Sequence, residues 1–149
     1  MSKILDTQEF LDTICELLYQ GKRHVAIPVA GGSMVPFLHH GDMVCLDLVD
    51  SPLKRGDIIL YQRAGGRYIL HRIMKIRPDG TLWIVGDAQQ EIEILPSEAM
   101  VRARVTSARH KGKTYDPKSF RWWLYAHIWL PLRPFRHLLM GLRGRPRLK

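Results

Sequence analysis

Apolar side chains fall at Phe10, Leu11, Ile14, Leu17 and Leu18, a spacing that lines them along one stripe of an α-helix. This predicts a helix over residues 6–20, capped by Asp6 or Thr7, with Glu9 in its first turn and Gly21 at its end. From His24 onward the period shortens. Residues 25–29, 43–48, 57–61, 68–76, 81–85 and 100–108 read as short strands, and another short piece follows Lys111-Gly112. Ala64-Gly65-Gly66-Arg67 signals a hairpin, and Pro78-Asp79-Gly80 a second turn. Frequent short strands with regular turns predict a mainly β fold, a twisted antiparallel sheet or small barrel, with a helix ahead of it.

The pattern changes again near the end. Residues 122–130 are strongly apolar and aromatic, and Pro131, Pro134 and a Leu/Arg segment follow. The chain is accordingly divided into an amphipathic helix (1–24), a β domain (25–115) and a basic, aromatic, helical tail (116–149). Charge supports the last boundary. The net charge is +9, yet no acid follows Asp116, while eight Lys and Arg do, so residues 1–117 are nearly neutral. Arginines beside Trp122, Trp123 and Trp129 suit the surface of an anionic bilayer, and residues 119–149 are expected to make peripheral contact there. Packing of the same segment on the sheet, and binding of a nucleic acid or another anionic partner, are the competing readings.

At 149 residues, 46% hydrophobic and 25% charged, the chain is expected to form one domain with a core that needs no metal or disulfide. Cys15 and Cys45 lie in apolar surroundings without metal-ligand spacing and read as reduced, buried thiols, a disulfide between them staying open. No metal and no cofactor is expected. Residues 1–24 have room for one helix, too little for a helix-turn-helix, and no nucleic-acid partner is expected. The first twenty residues lack a basic, then apolar, export signal, and no apolar run of 18 residues occurs. The expected location is cytoplasmic, peripheral on the inner face of the membrane.

Candidate chemistry gathers at three points. Ser33 follows Gly31-Gly32, where a sharp turn can present a hydroxyl while backbone N–H groups face a developing oxyanion. His71 stands on a strand, on one face with Ile69 and Ile73 under strict alternation; apolar surroundings would keep it neutral, the form a general base needs. Asp87, after Gly86, could orient an imidazole or close an Asx turn. Lys75, four residues past His71, would share its face but lies too far along to replace it. Asp42 reads as a turn residue.

Taken together, these residues resemble the type I signal peptidases and their relatives, serine proteases that share a fold with the LexA-type repressors. Ser33-Met34-Val35-Pro36 with Gly41-Asp42 is similar to the family's first box. Residues 56–61, 68–73 and 86–89 are similar to its second, third and fourth. A histidine at position 71, where bacterial-type enzymes carry lysine, resembles the archaeal and endoplasmic-reticulum subclass. The resemblance implies Ser33 as nucleophile, His71 as general base and Asp87 as supporting acid, with Gly32, Ser33 and Met34 at the oxyanion and substrate subsite. It implies an acyl-enzyme mechanism on a peptide or preprotein, with small residues before the cut. Gly31 stands where the family often has a helpful serine, and Glu91 and Glu93 are loose counterparts of its later aspartates. The expected activity is therefore serine endopeptidase cleavage of a signal or leader peptide. The alternative is a catalytically silent membrane-docking or peptide-binding module of the same fold.

Overall fold

The structure is a computed structural model that describes residues 3–135. Helix α1 spans Lys3–Tyr19, so Asp6 and Thr7 lie inside it rather than ahead of it. Neither residue breaks a helix; each costs only a few tenths of a kcal/mol there, roughly. The helix stops at Gly21, whose N–H bonds to the Leu18 carbonyl (3.0 Å) while Lys22 N–H reaches that of Leu17 (3.1 Å), the paired bonds of a Schellman ending.

Eight strands follow: β1 (Val25–Pro28), β2 (Met43–Asp47), β3 (Ile58–Gln62), β4 (Tyr68–Ile76), β5 (Leu82–Val85), β6 (Glu93–Leu95), β7 (Val101–His110) and β8 (Lys113–Tyr115). All pairings are antiparallel. The order is β1-β2-β7-β3-β4-β5-β6, with β8 also on β7. The predicted strands are all present; β6 is additional. It has three residues beginning at Glu93, too short to carry a period. Strand β7 joins the halves, pairing β3 through its first residues and β2 through its later ones.

Alternation along the strands sends side chains to two cores. One holds Ile14 and Leu18 of α1 with Ile58, Leu60, Ala103 and Val105. The other holds Ile59, Tyr61, Ile73, Leu82, Ile84 and Leu95. Helix α1 is thus part of the domain's own packing. A bulge in β4 modifies the sequence reading. Ile73 faces Ile84 and Lys75 faces Trp83, leaving Met74 as the extra residue. Lys75 is therefore turned off the His71 face, and its ammonium lies 5.7 Å from the Trp83 ring. Cys15 and Cys45 are free and half-buried.

After Ser119 the chain forms α2 (Phe120–Leu124), a single π-helical turn (Tyr125–Trp129) and a 3₁₀ turn (Arg133–Phe135). Its inner side is docked: Trp122 is 2% exposed, and Ala126 and Leu130 are buried with it. The close approach needs Gly56, which has φ +94° and at which a Cβ would come 2.5 Å from that of Ala126. The sequence grouped three tryptophans as interfacial, but the structure separates them. Trp122 N–H donates to the Gly56 carbonyl (3.1 Å) and Trp129 N–H to that of Asp87 (2.7 Å), because a buried indole needs an acceptor. Trp123 faces outward. The remainder of the predicted tail, from residue 136, lies outside the described residues.

Candidate active site

The loop between β1 and β2 carries Ser33. Its base is closed by Val29 and Asp42: Val29 N–H donates to the Asp42 carbonyl (2.7 Å), and Gly41 N–H to that of Val29 (2.8 Å). The Asp42 carboxylate accepts from His39 N–H (2.8 Å) and lies 2.8 Å from His110 Nδ1 on β7. Asp42 thus closes the loop, as read. Within it, Val35 N–H reaches the Gly32 carbonyl (3.3 Å), and the Val35–Pro36 peptide is cis. Met34, Phe37 and Leu38 are buried in the first core and anchor this turn beneath Ser33.

His71 comes from β4, opposite Ile59 of β3. Its side chain is 4% exposed. Burial, and then the Arg63 guanidinium, push the imidazole down to about 4, so it is neutral near pH 7. The Tyr61 hydroxyl lies 3.5 Å from Nδ1 and donates to Glu93 Oε1 at 2.7 Å. With its proton committed to Glu93, the phenol oxygen faces Nδ1 as an acceptor. This favours the tautomer with hydrogen on Nδ1 and a lone pair on Nε2. Arg63 grips the same carboxylate through Nε (3.1 Å) and Nη2 (2.7 Å), and its hydrogen bonds hold Glu93 below the usual carboxylate range. Burial and the Glu93 bond push the Tyr61 phenol well up, so it stays protonated.

Gly86 lies where the two arms meet. A Cβ there would lie 2.6 Å from the Ser33 carbonyl oxygen and 3.0 Å from His71 Nε2. The Ser33 carbonyl also accepts the N–H of Ala88 (3.0 Å). Strand β4, the serine loop and the turn 86–89 are therefore in direct contact, and only a residue without a side chain fits between them. Ser33 and His71 together line a cleft of about 610 Å³ that runs along β1 and the first half of β4 to Arg67, with Phe10 and Leu11 of α1 at its wall.

Asp87 is held elsewhere. Arg72, next after His71 and facing the other way, donates through Nε and Nη2 to the two Asp87 oxygens, each at 2.9 Å, and through Nη1 to the Gly56 carbonyl (2.9 Å). Both side chains are 0% exposed. Phe37 caps the guanidinium at 4.8 Å, with Trp122 and Tyr125 nearby. Tyr61 closes the second of the four boxes, and β-alternation puts it on the face of Ile59, which stands opposite His71. Arg72 was hidden as the residue after the histidine.

The family described as Peptidase S24-like matches residues 2–106, and the chain belongs to that family. It is also similar to the signal peptidase complex catalytic subunit sec11 of Dictyostelium discoideum, 31% identical over 61 residues, which cover 40% of this chain and 34% of that protein. The match thus spans about a third of the relative's length.

Proposed function

We propose that this chain is a serine endopeptidase that cleaves a signal or leader peptide, with Ser33 as nucleophile and His71 as general base. The observation that carries this reading is the convergence of Ser33 and a neutral, buried His71 on one cleft across Gly86. In the free site Ser33 Oγ makes no hydrogen bond among the described residues; such bonds often tighten only with substrate bound. Ser33 Oγ attacks the peptide carbonyl as Nε2 takes its proton, and the same imidazole returns the proton to the leaving amine. Water then hydrolyses the acyl-enzyme by the reverse exchange. Tyr61 and Glu93 set the imidazole's tautomer. Backbone N–H groups at Gly32, Ser33 and Met34 serve the oxyanion, and Asp87 supports the site through Arg72 and the turn 86–89.

Candidate precursor peptides incubated with the protein and followed by intact mass test this directly. Wild type is expected to release two fragments that add up to the precursor, and Ser33→Ala none. Equal cleavage by both proteins would overturn the assignment. Peptide binding without cleavage by either would favour the silent-module alternative.

The setting completes the proposal. Among the described residues no helix is long and apolar enough to cross a membrane. The outer side of the C-terminal segment carries Phe120 (73% exposed), Trp123, Ile128 and Phe135 (58% exposed), with Phe120 and Trp123 stacked at 5.9 Å. An aromatic face within a basic segment fits peripheral docking on an anionic leaflet. Sedimentation with phosphatidylserine-containing vesicles is expected to exceed that with neutral ones, and the combined Phe120→Ser, Trp123→Ser and Ile128→Ser variant is expected to lose at least tenfold in partitioning. Undiminished binding by that variant would remove the docking face.

A further inference from the structure

We propose that Trp129 is a positioning residue for His71, because its indole N–H holds the carbonyl of Asp87 and thereby the turn that presses Gly86 against the imidazole. The inference rests on the reading of Ser33 and His71 as the reacting pair. It names a contribution from the C-terminal segment, which reaches the site only through other groups.

The turn at residues 86–89 is a single peptide loop gripped from several sides. Its own bond runs from Gln89 N–H to the Gly86 carbonyl (2.9 Å), and Ala88 N–H binds the Ser33 carbonyl (3.0 Å). Arg72 takes the Asp87 carboxylate from below. The Asp87 carbonyl is taken by Trp129 Nε1 at 2.7 Å, a bond linking residues 42 positions apart. These grips matter because the next residue inward, Gly86, has no slack: a Cβ on it would come 2.6 Å from the Ser33 carbonyl oxygen and 3.0 Å from His71 Nε2. A small tilt of the turn would either strike the imidazole or open a gap for water beside it.

The C-terminal segment is built to hold this contact. Tyr125 and Trp129 stand at the two ends of one π-helical turn, closed by the bond from Leu130 N–H to the Tyr125 carbonyl (3.2 Å). Such turns recur at functional sites. The Tyr125 ring packs on Trp129 at 5.8 Å and on Phe37 at 5.0 Å. Phe37 belongs to the loop that carries Ser33. One short segment thus touches the serine loop through Tyr125 and the turn beside the histidine through Trp129. Its outer side, carrying Phe120, Trp123 and Ile128, does not take part.

The test compares wild type, Trp129→Phe and the outer-face variant Phe120→Ser, each with isotope-labelled histidine. Trp129→Phe keeps an aromatic ring and removes the donor. NMR titration of the His71 ring is the primary readout. In wild type its midpoint is expected near 4. In Trp129→Phe its midpoint is expected to rise by a unit or more toward 6.5, as water reaches the loosened turn, while Arg63 and Glu93, the charged groups that face the ring, are unchanged. Phe120→Ser is expected to titrate like wild type. In peptide cleavage, Trp129→Phe should lower kcat about tenfold with little change in KM and carry the acid limb of the pH profile upward with the NMR midpoint. A folded Trp129→Phe whose His71 titrates as in wild type would overturn the proposal; Trp129→Leu, which has no donor at all, replaces it if the first variant does not fold. Absence of cleavage by wild type would count against the peptidase reading alone, since the NMR comparison does not depend on turnover.

Discussion

His71→Gln is expected to lower kcat/KM for peptide cleavage by roughly 10²–10⁴-fold, the range over which a positioned general base acts, and to do so mainly in kcat. The acid limb of the wild-type profile is the sharper part of the prediction. An unperturbed histidine would hold activity back until about pH 6.5. Here burial and Arg63 lower His71 to about 4, so kcat/KM should already be on its plateau near pH 5. A limb at the ordinary histidine value would show that the imidazole is solvated in the working enzyme.

The same group makes a prediction about stability that needs no substrate. Unfolding releases His71 to its ordinary value of 6.5. Between 6.5 and 4 the unfolded chain binds a proton there that the folded chain refuses, so acid favours unfolding. The resulting penalty is absent above 6.5, grows as pH falls and is complete below 4. Its full size is about 3 kcal/mol on the scale of 1.36 kcal/mol per unit. Carboxylates that the fold holds low, Glu93 among them, also cost stability as the pH falls, so the measurement is a difference. Urea unfolding from pH 7 to pH 4 should show wild type losing about 3 kcal/mol more than His71→Gln. Parallel curves would mean that the folded imidazole accepts its proton normally.

Much of this fold could be read in the sequence because the strands are bounded by glycine, proline and aspartate turns and alternate cleanly. What could not be read depended on contacts between distant segments. The extra residue at Met74 is an ordinary apolar residue, and nothing in residues 73–75 says that two of them will oppose one step of β5; only pairing decides that. The three tryptophans of the C-terminal segment look alike in a window of composition, yet their roles separate once the Gly56 and Asp87 carbonyls are supplied by other elements. Ser33 and His71 could be singled out as candidates, because residue type and motif point to them before any contact is known. The imidazole's partner could not: Tyr61 and Glu93 stand 32 residues apart, and their 2.7 Å bond joins two strands, β3 and β6, that are separated in the sheet by β4 and β5.

Asp87 shows the same limit and carries the second large prediction. Its sequence position fits an acid that orients the histidine, whereas its geometry makes it the counter-charge of Arg72. Asp87→Ala would leave a guanidinium that is 0% exposed without its carboxylate, and a buried charge stripped of its partner costs about 3–5 kcal/mol. The Gly56 carbonyl and the Phe37 ring remain beside Arg72, but neither neutralises it. The urea midpoint of Asp87→Ala should therefore fall sharply. The double variant Arg72→Met/Asp87→Leu should regain much of that loss, since an apolar pair of similar bulk owes no desolvation. Activity should not return with it, because the double variant no longer ties the turn 86–89 to β4 immediately beside His71. Direct support of the imidazole by Asp87 gives the opposite pattern: a single variant with nearly normal stability and lost cleavage, and no stability for the double variant to recover. A midpoint for Asp87→Ala within about 0.5 kcal/mol of wild type, the usual span of neutral surface changes, would reject the ion pair as a structural element and return Asp87 to the imidazole.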